Sequence, residues 1–355
     1  MQKLFIATLE NSDLWDAFVD SHPYGWVCHL SVWQKILEKS FKHMHGEVVA
    51  LKDDSTGAIQ AGLPVYTVDS WLTGKRLISI PFATICDPLV SSWDQLNQIT
   101  DYVIEKAKKE KASFIEIRTL LSATMQEAKD FSSDSSYKHH FIKLDRKPDE
   151  LKKNFDRSCI KQRLDRSLKS GITLATAHDE TAIDKFYSLH LETRKRLSLP
   201  PHPYSFLKNL IQYMQPLNLC QLLFAEKDGE TLAGMILFKY KNRVSAEYAV
   251  SNKNFQNISP NHFLFWHAIN IAYNEKFEIF DFGQTDPANK GLMDFKKRWG
   301  SEIMDIPYFH YPKQNGAAQT NKGEDIKYQL VKKICGVAPD PVLKIIGNFC
   351  YRHLG

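Results

Sequence analysis

The chain has 355 residues, a formal charge of +5 and ordinary apolar content, which excludes disordered and fibrous classes and leaves room for two cores. Its six cysteines, at positions 28, 86, 159, 220, 335 and 350, form no C-x-x-C pair and no Cys/His set with zinc spacing, so they read as the reduced thiols of a cytoplasmic protein. The start lacks a basic segment followed by a long apolar one, and no uncharged apolar run approaches the length of a membrane span, so neither a signal peptide nor a spanning helix is expected.

Taken in chain order, the first half reads as mixed α and β. Residues 4–9 pattern as a strand. Ser12 or Asp13 then caps a short helix carrying Leu14, Phe18 and Val19. A second amphipathic helix covers 33–41. Strands at 46–52 and 58–68 flank a turn at 53–57, and a third strand covers 76–80. A helix over 93–110 leads to a strand at 114–118. The second half repeats this order. A strand at 141–144 precedes a long basic helix over 148–170, whose apolar stripe is Leu151, Phe155, Leu164 and Leu168. A strand at 172–177 and helices at 180–197 and 204–213 follow. Three consecutive strands at 219–227, 231–240 and 243–250 are joined by Asp228-Gly229 and Lys241-Asn242 turns. A helix over 260–276, a strand at 279–282 and a last strand at 304–311 complete the pattern. The polar segment 314–325 reads as a mobile linker, and 326–355 as a helical tail.

Several constellations admit chemistry. Ser259 before Pro260 is a strong helix start, with Ser as cap and Pro at the first helical position. The free N–H groups of such a start, Asn261 among them, suit a phosphate. Asp281 ends a strand just before Gly283, where it can accept a proton, orient a nucleophile or simply form the turn. Phe295 and Trp299 lie four residues apart beside Lys296, Lys297 and Arg298. A cation there can stabilise developing negative charge or bind a donor's phosphates, with an aromatic as stacking platform. Glu247 and Tyr248 follow one another on a strand, so alternation lets only one of them look into a given cleft. Glu247 is a candidate base, and an ion pair with Arg243 is the alternative. Arg194 and Arg196 end a helix, where they bind a phosphate or carboxylate or offset the helix dipole. The basic helix over 148–170 is an electrostatic footprint for tRNA, a nucleotide or anionic lipid, or an ordinary solvated face. Lys332, Lys333, Lys344 and Arg352 in the apolar tail suit contact with a membrane surface or plain packing on the body. Phosphate-binding loops, serine-hydrolase elbows and metal-protease motifs are absent, so no metal is expected.

The run from Ser259 to Gly300, with its helix, its FDFG and its GLMDFKKRWGSE, resembles the second domain of the Fem-type family. That family comprises the FemA/FemB aminoacyltransferases and the FemAB-like and BioF-like acetyltransferases grouped with them. The segments HPYGWVCHLSVWQKILEKSF, GLPVYTVDSWLTGKRLISIPF and PDPVLKIIGNFCYRHLG are similar to FemAB-like proteins associated with exopolysaccharide and exosortase systems. The resemblance implies an α+β fold of two tandem GNAT (acyl-CoA N-acyltransferase) domains, each a mixed, mostly antiparallel sheet flanked by helices. The first would cover 1–140, with the tail returning to it, and the second, catalytic one 141–313.

The same resemblance implies transfer of an acyl or aminoacyl group, from acyl-CoA or aminoacyl-tRNA, to an amine of a small molecule or a polymer precursor. Catalysis would fall to Lys296, Glu247, Tyr248 and Asp281. Donor binding would fall to Ser259, Asn261, Phe295 and Arg298, and acceptor binding to Arg194 and Arg196. Cytoplasmic placement, at the inner face of the membrane, would follow. A non-catalytic polysaccharide- or nucleic-acid-binding protein on the same fold is the competing reading. The sequence departs from the family in having no glycine between Gly234 and Gly283, where acyl-CoA enzymes carry a Gly-rich turn. It also lacks a clear match to the first-domain lysine that holds acceptor phosphate.

Overall fold

The computed structural model describes residues 2–7, 12–177, 180–313 and 326–354. The expected linker at 314–325 lies outside the described residues. The chain divides into two compact units. Unit 1 takes Met1–Tyr137, Asp305–Thr320 and Cys350–Gly355, and unit 2 takes Lys138–Met304 and Asn321–Phe349.

The elements of the first half are β1 (Gln2–Ala7), α1 (Ser12–Ser21), α2 (Ser31–Ser40), β2 (Met44–Asp53), β3 (Ile59–Ser70), β4 (Gly74–Ile78), α3 (Trp93–Glu110) and β5 (Ile115–Arg118). Then come β6 (Ser132–Lys143), α4 (Pro148–Lys152), α5 (Gln162–Lys169), β7 (Thr173–Ala177), α6 (Glu180–Arg196) and α7 (Tyr204–Met214). The chain continues with β8 (Cys220–Lys227), β9 (Glu230–Tyr240), β10 (Arg243–Ser251), α8 (Pro260–Asn274), β11 (Ile279–Thr285), α9 (Lys290–Lys297) and β12 (Glu302–Tyr311). It closes with α10 (Ile326–Val337) and α11 (Asp340–His353).

The two units share one topology. In unit 1, β1, β2, β3 and β4 pair antiparallel in succession, β4 pairs β5 parallel, and β12 adds antiparallel to β5. In unit 2, β7, β8, β9 and β10 repeat the antiparallel run, β10 pairs β11 parallel, and β6 adds antiparallel to β11. Two helices separate the first two strands of each run, and one helix, α3 or α8, makes each parallel crossover. Parallel neighbours need such a crossover because a tight turn cannot reverse the chain twice. The sixth strands are exchanged in sequence. Tyr308 pairs with Arg118, so β12 closes unit 1, whereas Phe141 pairs with Asp281, so β6 belongs with unit 2. Hence unit 1 is not contiguous, and unit 2 stops at 304 rather than at the expected 313. The tail is divided as well. Residues 326–349 count with unit 2 and only the last few with unit 1.

One expected element fails. The long basic helix over 148–170 is broken into α4, a π turn at Arg157–Lys161 and α5. Asp156 is the reason. Its carboxylate accepts the Cys159 N–H at 2.7 Å as a new cap, and its own N–H donates to the Arg298 carbonyl at 2.8 Å. A side-chain oxygen thereby replaces the helical partner and restarts the helix in a new direction. Ile160 and Leu164 then face the core, while Leu168 is left exposed.

Unit 2 is built around α8. This helix is apolar on nearly every side, so it must be covered all round. Its Phe263, Leu264, Phe265, Trp266, Ile269 and Ala272 join Met235, Leu237, Val244 and Phe280 from the sheet, and Leu151, Phe155 and Leu164 from the α4–α5 segment, in one core. Helix α6 covers the opposite sheet face. It comes close at Gly234, where an added Cβ would lie 2.9 Å from the Phe186 ring and 3.0 Å from that of Phe224. Both rings are buried in a dense interior that resists expansion. Gly234→Ala is therefore expected to cost about 1–3 kcal/mol through overpacking, outweighing the roughly 0.4–1 kcal/mol gained from a stiffer unfolded chain. Urea unfolding should show the loss as a lower midpoint at unchanged slope.

Candidate active site

The parallel pair β10–β11 is short. Arg243 pairs with Ile279, Val244 with Phe280 and Ser245 with Asp281, and there the register ends. Beyond that point β10 continues beside β9 as far as Ser251, and β11 continues beside β6 as far as Thr285. Both strands carry a bulge at the parting. In β10 the register slips between Ala246 and Tyr248, and in β11 between Asp281 and Gly283. A bulge inserts one unpaired residue and bends its strand, and here the extra residues are Glu247 and Phe282. The backbone groups that would have continued the ladder lose their strand partner.

The bulge corrects the alternation expected at Glu247 and Tyr248. Ser245 pairs with Phe238 and Tyr248 with Ile236, two residues apart on β9, so Ser245 and Tyr248 share a face. Glu247 shares it too, because the Ser245 hydroxyl donates to its Oε1 at 2.6 Å. The Tyr248 ring lies edge-on to His202, 5.1 Å away, and 6.4 Å from Phe238. Glu247 is deeply surrounded by protein atoms, yet part of its surface stays accessible. Burial raises its pKa to about 7, held there against the Ser245 hydrogen bond and assisted by the nearby Asp281 charge.

Lys296 approaches from α9. Its ammonium donates to the carbonyls of Gly283 at 3.0 Å and Gln284 at 2.9 Å, and it is buried. Those carbonyls are turned toward it because Gly283 takes φ +72°, a left-handed conformation, with open space where a Cβ would stand. Burial lowers the Lys296 pKa to about 8, against the raising influence of Asp281 and Glu247. An ammonium has three donors, so one remains beyond the two carbonyl bonds.

Asp281 is engaged by protein partners. It is buried, accepts the Gly283 N–H at 2.6 Å, and lies 3.3 Å from His139 Nε2 and 3.5 Å from the Arg243 guanidinium. The expected proton acceptor is thus an anchor for the turn and for the charges around it. The Arg243 pair weighed for Glu247 forms with Asp281 instead. Sequence reasoning missed Arg243, Ser245 and His139 as members of this group. The signal was present in β10, where Arg243, Ser245 and Glu247 alternate with Val244 and Ala246.

The other candidates sit elsewhere in unit 2. Ser259 does not cap α8. It takes φ 58° and ψ 49°, and its carbonyl, not its hydroxyl, receives the His262 and Phe263 amides at 3.0 and 3.4 Å. Pro260 has no N–H to offer, so the Asn261 amide is the free donor of that first turn among the described residues. Asn261 Nδ2 donates to the Ser251 hydroxyl at 3.3 Å, while its Oδ1 is buried without a partner. Arg196 donates to the Ser251 carbonyl and hydroxyl, each at 3.1 Å, and Thr193 accepts the Ser251 N–H at 3.0 Å. Ser251 is thereby the joint between α6, β10 and the start of α8. Arg194 donates to the Pro200 carbonyl at 3.0 Å, past the end of its helix. Phe295 turns away from Lys296 into an aromatic cluster with His262, Phe265 and Trp299, at 5.5, 5.6 and 6.3 Å. Arg298 donates to Cys159 Sγ at 2.9 Å.

The start of α8 has no glycine cradle for a pyrophosphate, and Ser259 occupies the left-handed position that glycine favours. Cations fit the role better. Arg157, Arg163, Arg166 and Lys169 are exposed on the α4–α5 segment. Arg166 donates to the Asn257 carbonyl at 3.2 Å, just ahead of α8. An anionic group there would be held by side-chain charge more than by backbone amides. Among the described residues, no group of three or more His, Cys, Asp or Glu is placed to hold a metal ion.

Residues 155–297 match the family described as acetyltransferase (GNAT) domain. The fold is that of GNAT domains. Among solved structures, FemX superposes with a TM-score of 0.71 at 19% identity, covering 93% of this chain and 100% of that one. A tandem GNAT protein from the clavulanic acid biosynthesis pathway gives 0.55 at 11% identity, covering 87% and 98%. L-PGS from Bacillus licheniformis gives 0.57 at 13% identity, covering 91% and 96%. No curated protein matches the sequence. The matched segment lies within unit 2, and its ends bracket the parted strands.

The buried charges make stability depend on pH with a definite sign. Glu247 moves from an ordinary 4.5 up to about 7, so the folded state holds a proton that the unfolded chain has lost, and stability falls as pH rises across that interval. Lys296 moves from 10.5 down to about 8, so its contribution returns only as pH rises from 8 toward 10.5. Urea midpoints measured against pH should show both slopes. Glu247→Gln should flatten the acidic one and Lys296→Met the alkaline one; unchanged slopes would contradict the burial of these groups.

Proposed function

We propose that the chain is an N-acyltransferase or aminoacyltransferase, which moves an acyl group from an activated donor to an amine of a cell-envelope or exported polymer precursor. The observation that carries this reading is that Glu247 and Lys296, each deeply surrounded by protein at the bulges where β10 and β11 part, feel each other's charge. One group has a pKa of about 7 and the other of about 8. Near neutral pH a carboxylate able to take a proton therefore shares this region with a cation able to hold negative charge. That is the pair direct acyl transfer to an amine requires.

In the proposed reaction the acceptor amine attacks the donor's carbonyl carbon. A proton from the amine passes to the Glu247 carboxylate, directly or through water. Negative charge develops on the carbonyl oxygen, where the third donor of the Lys296 ammonium stabilises it. The carbonyl re-forms as the bond to the leaving thiolate or ester oxygen breaks, and the leaving group takes up a proton. Holding both substrates at one gap supplies much of the rate. Tyr248, beside Glu247, lines the acceptor side, and Arg196, exposed beyond its Ser251 bonds, offers remaining donors to an acceptor's phosphate or carboxylate.

Acyl-CoA is the donor favoured by the GNAT-type domain. The exposed cations of the α4–α5 segment also suit the backbone of an aminoacyl-tRNA. The Fem-type resemblance supports a cell-envelope or exopolysaccharide acceptor. Thermal-shift titration with acetyl-CoA, longer acyl-CoAs and charged tRNA separates the donors.

The rate should follow a bell in kcat/KM, with apparent limbs near pH 7 and pH 8 that belong to the coupled pair. Glu247→Gln should remove the acidic limb and lower kcat by about 10²–10⁴. Lys296→Met should lower it by about 10²–10³ while the folded state persists by circular dichroism. Turnover within a few-fold of the parent in both variants would rule the assignment out.

A further inference from the structure

The C-terminal helices carry two apolar stripes each where a docked helix needs one. Inward, Cys335 and Ala338 of the α10 segment and Leu343 and Gly347 of α11 are buried. Two glycines bring these helices hard against unit 2. An added Cβ at Gly336 would lie 2.9 Å from the Ser198 hydroxyl, and one at Gly347 would collide with the Pro201 carbonyl. The packing side is thus already satisfied. Outward, a second stripe stands open. Leu330 is 57% exposed, Val337 77% and Ile345 67%, and Ile334, Val342 and Phe349 are exposed with them. These positions fall at helical spacing, 330, 334 and 337 on α10 and 342, 345 and 349 on α11, so each set forms one line.

Charge chooses among the possible occupants. Residues 326–354 hold five basic side chains, Lys327, Lys332, Lys333, Lys344 and Arg352, against the single acid Asp340. Lys333, Lys344 and Arg352 are exposed. In α11, Lys344, Asn348 and Arg352 form a polar row beside the apolar line, at the i, i+4, i+8 spacing. A second copy of the same basic surface would be repelled by it. An apolar line bordered by cations matches the acyl boundary and phosphate layer of an anionic bilayer.

We infer that α10 and α11 form a docking surface that lays this protein on an anionic phospholipid membrane. The inference stands apart from the acyl-transfer reading, since it uses neither Glu247 nor Lys296.

Co-sedimentation of the full chain with vesicles of phosphatidylcholine, alone or mixed with phosphatidylglycerol, tests it. The full chain should pellet with the mixed vesicles, and less so as salt is raised. The Lys333→Glu, Lys344→Glu double variant should weaken that binding about tenfold or more, at about 1 kcal/mol for each basic residue near the surface. Val337→Glu with Ile345→Glu should abolish it with the melting temperature unchanged, because both side chains are already in water. Failure of the parent to bind mixed vesicles would overturn the inference. So would equal binding by the variants, or a parent dimer in sedimentation equilibrium that Val337→Glu with Ile345→Glu dissociates.

Discussion

Everything particular to unit 2 follows from the early end of one strand pair. β10 and β11 run parallel for three register pairs and then part, each bent by a bulge at the same level. Parting strips backbone carbonyls of their ladder partners, and a buried carbonyl without a partner is costly. Lys296 donates to the carbonyls of Gly283 and Gln284 at the β11 bulge, which explains a lysine in an interior that would otherwise reject its charge. The other bulge supplies Glu247 as the additional residue, free of the alternation that governs its neighbours. A defect in hydrogen bonding thus places a carboxylate and an ammonium together without dedicating a loop to either.

The arrangement is expensive to keep. Arg243, Asp281, His139, Lys296 and Glu247 crowd a region from which water is largely excluded, and buried charges are tolerated only when neighbours satisfy them. Asp281 does most of that work through Gly283, His139 and Arg243. Even so, the pH interval in which Glu247 is ionised and Lys296 is protonated is the one in which these two contribute least to stability. A pair poised to exchange protons near neutral pH is thus held at a cost to folding.

Local grammar made most of the elements legible. α3 begins with the Ser92 cap and ends where Lys111 turns left-handed. The hairpin at Asp228-Gly229 has positive φ at both residues, as its composition implies. The repeated order of strands and helices was visible too, because it is a matter of sequence. What escaped depends on partners distant in the chain. A bulge adds one residue and leaves no mark on composition, so the shared face of Glu247 and Tyr248 could not be read. The break at Asp156 needs the Arg298 carbonyl, far along the chain, to complete it. Ser259 looked like a cap because Ser before Pro usually is one, yet the short turn ahead of α8 forces it into the left-handed region.

The exchange of sixth strands bears on how the protein is made. The last strand of unit 1 is β12, which the ribosome delivers only after β6 to β11 of unit 2 have been synthesised. At ribosomal elongation rates of roughly 5–20 residues per second, β5 would wait roughly ten to forty seconds for its partner. During that interval its outer edge is an open template for another strand. The N-terminal half therefore cannot mature by the usual vectorial route, in which each domain closes before the next emerges. Its completion is coupled to release of the C-terminal half, and a nascent chain stalled in unit 2 presents an unfinished sheet to chaperones and to neighbouring chains.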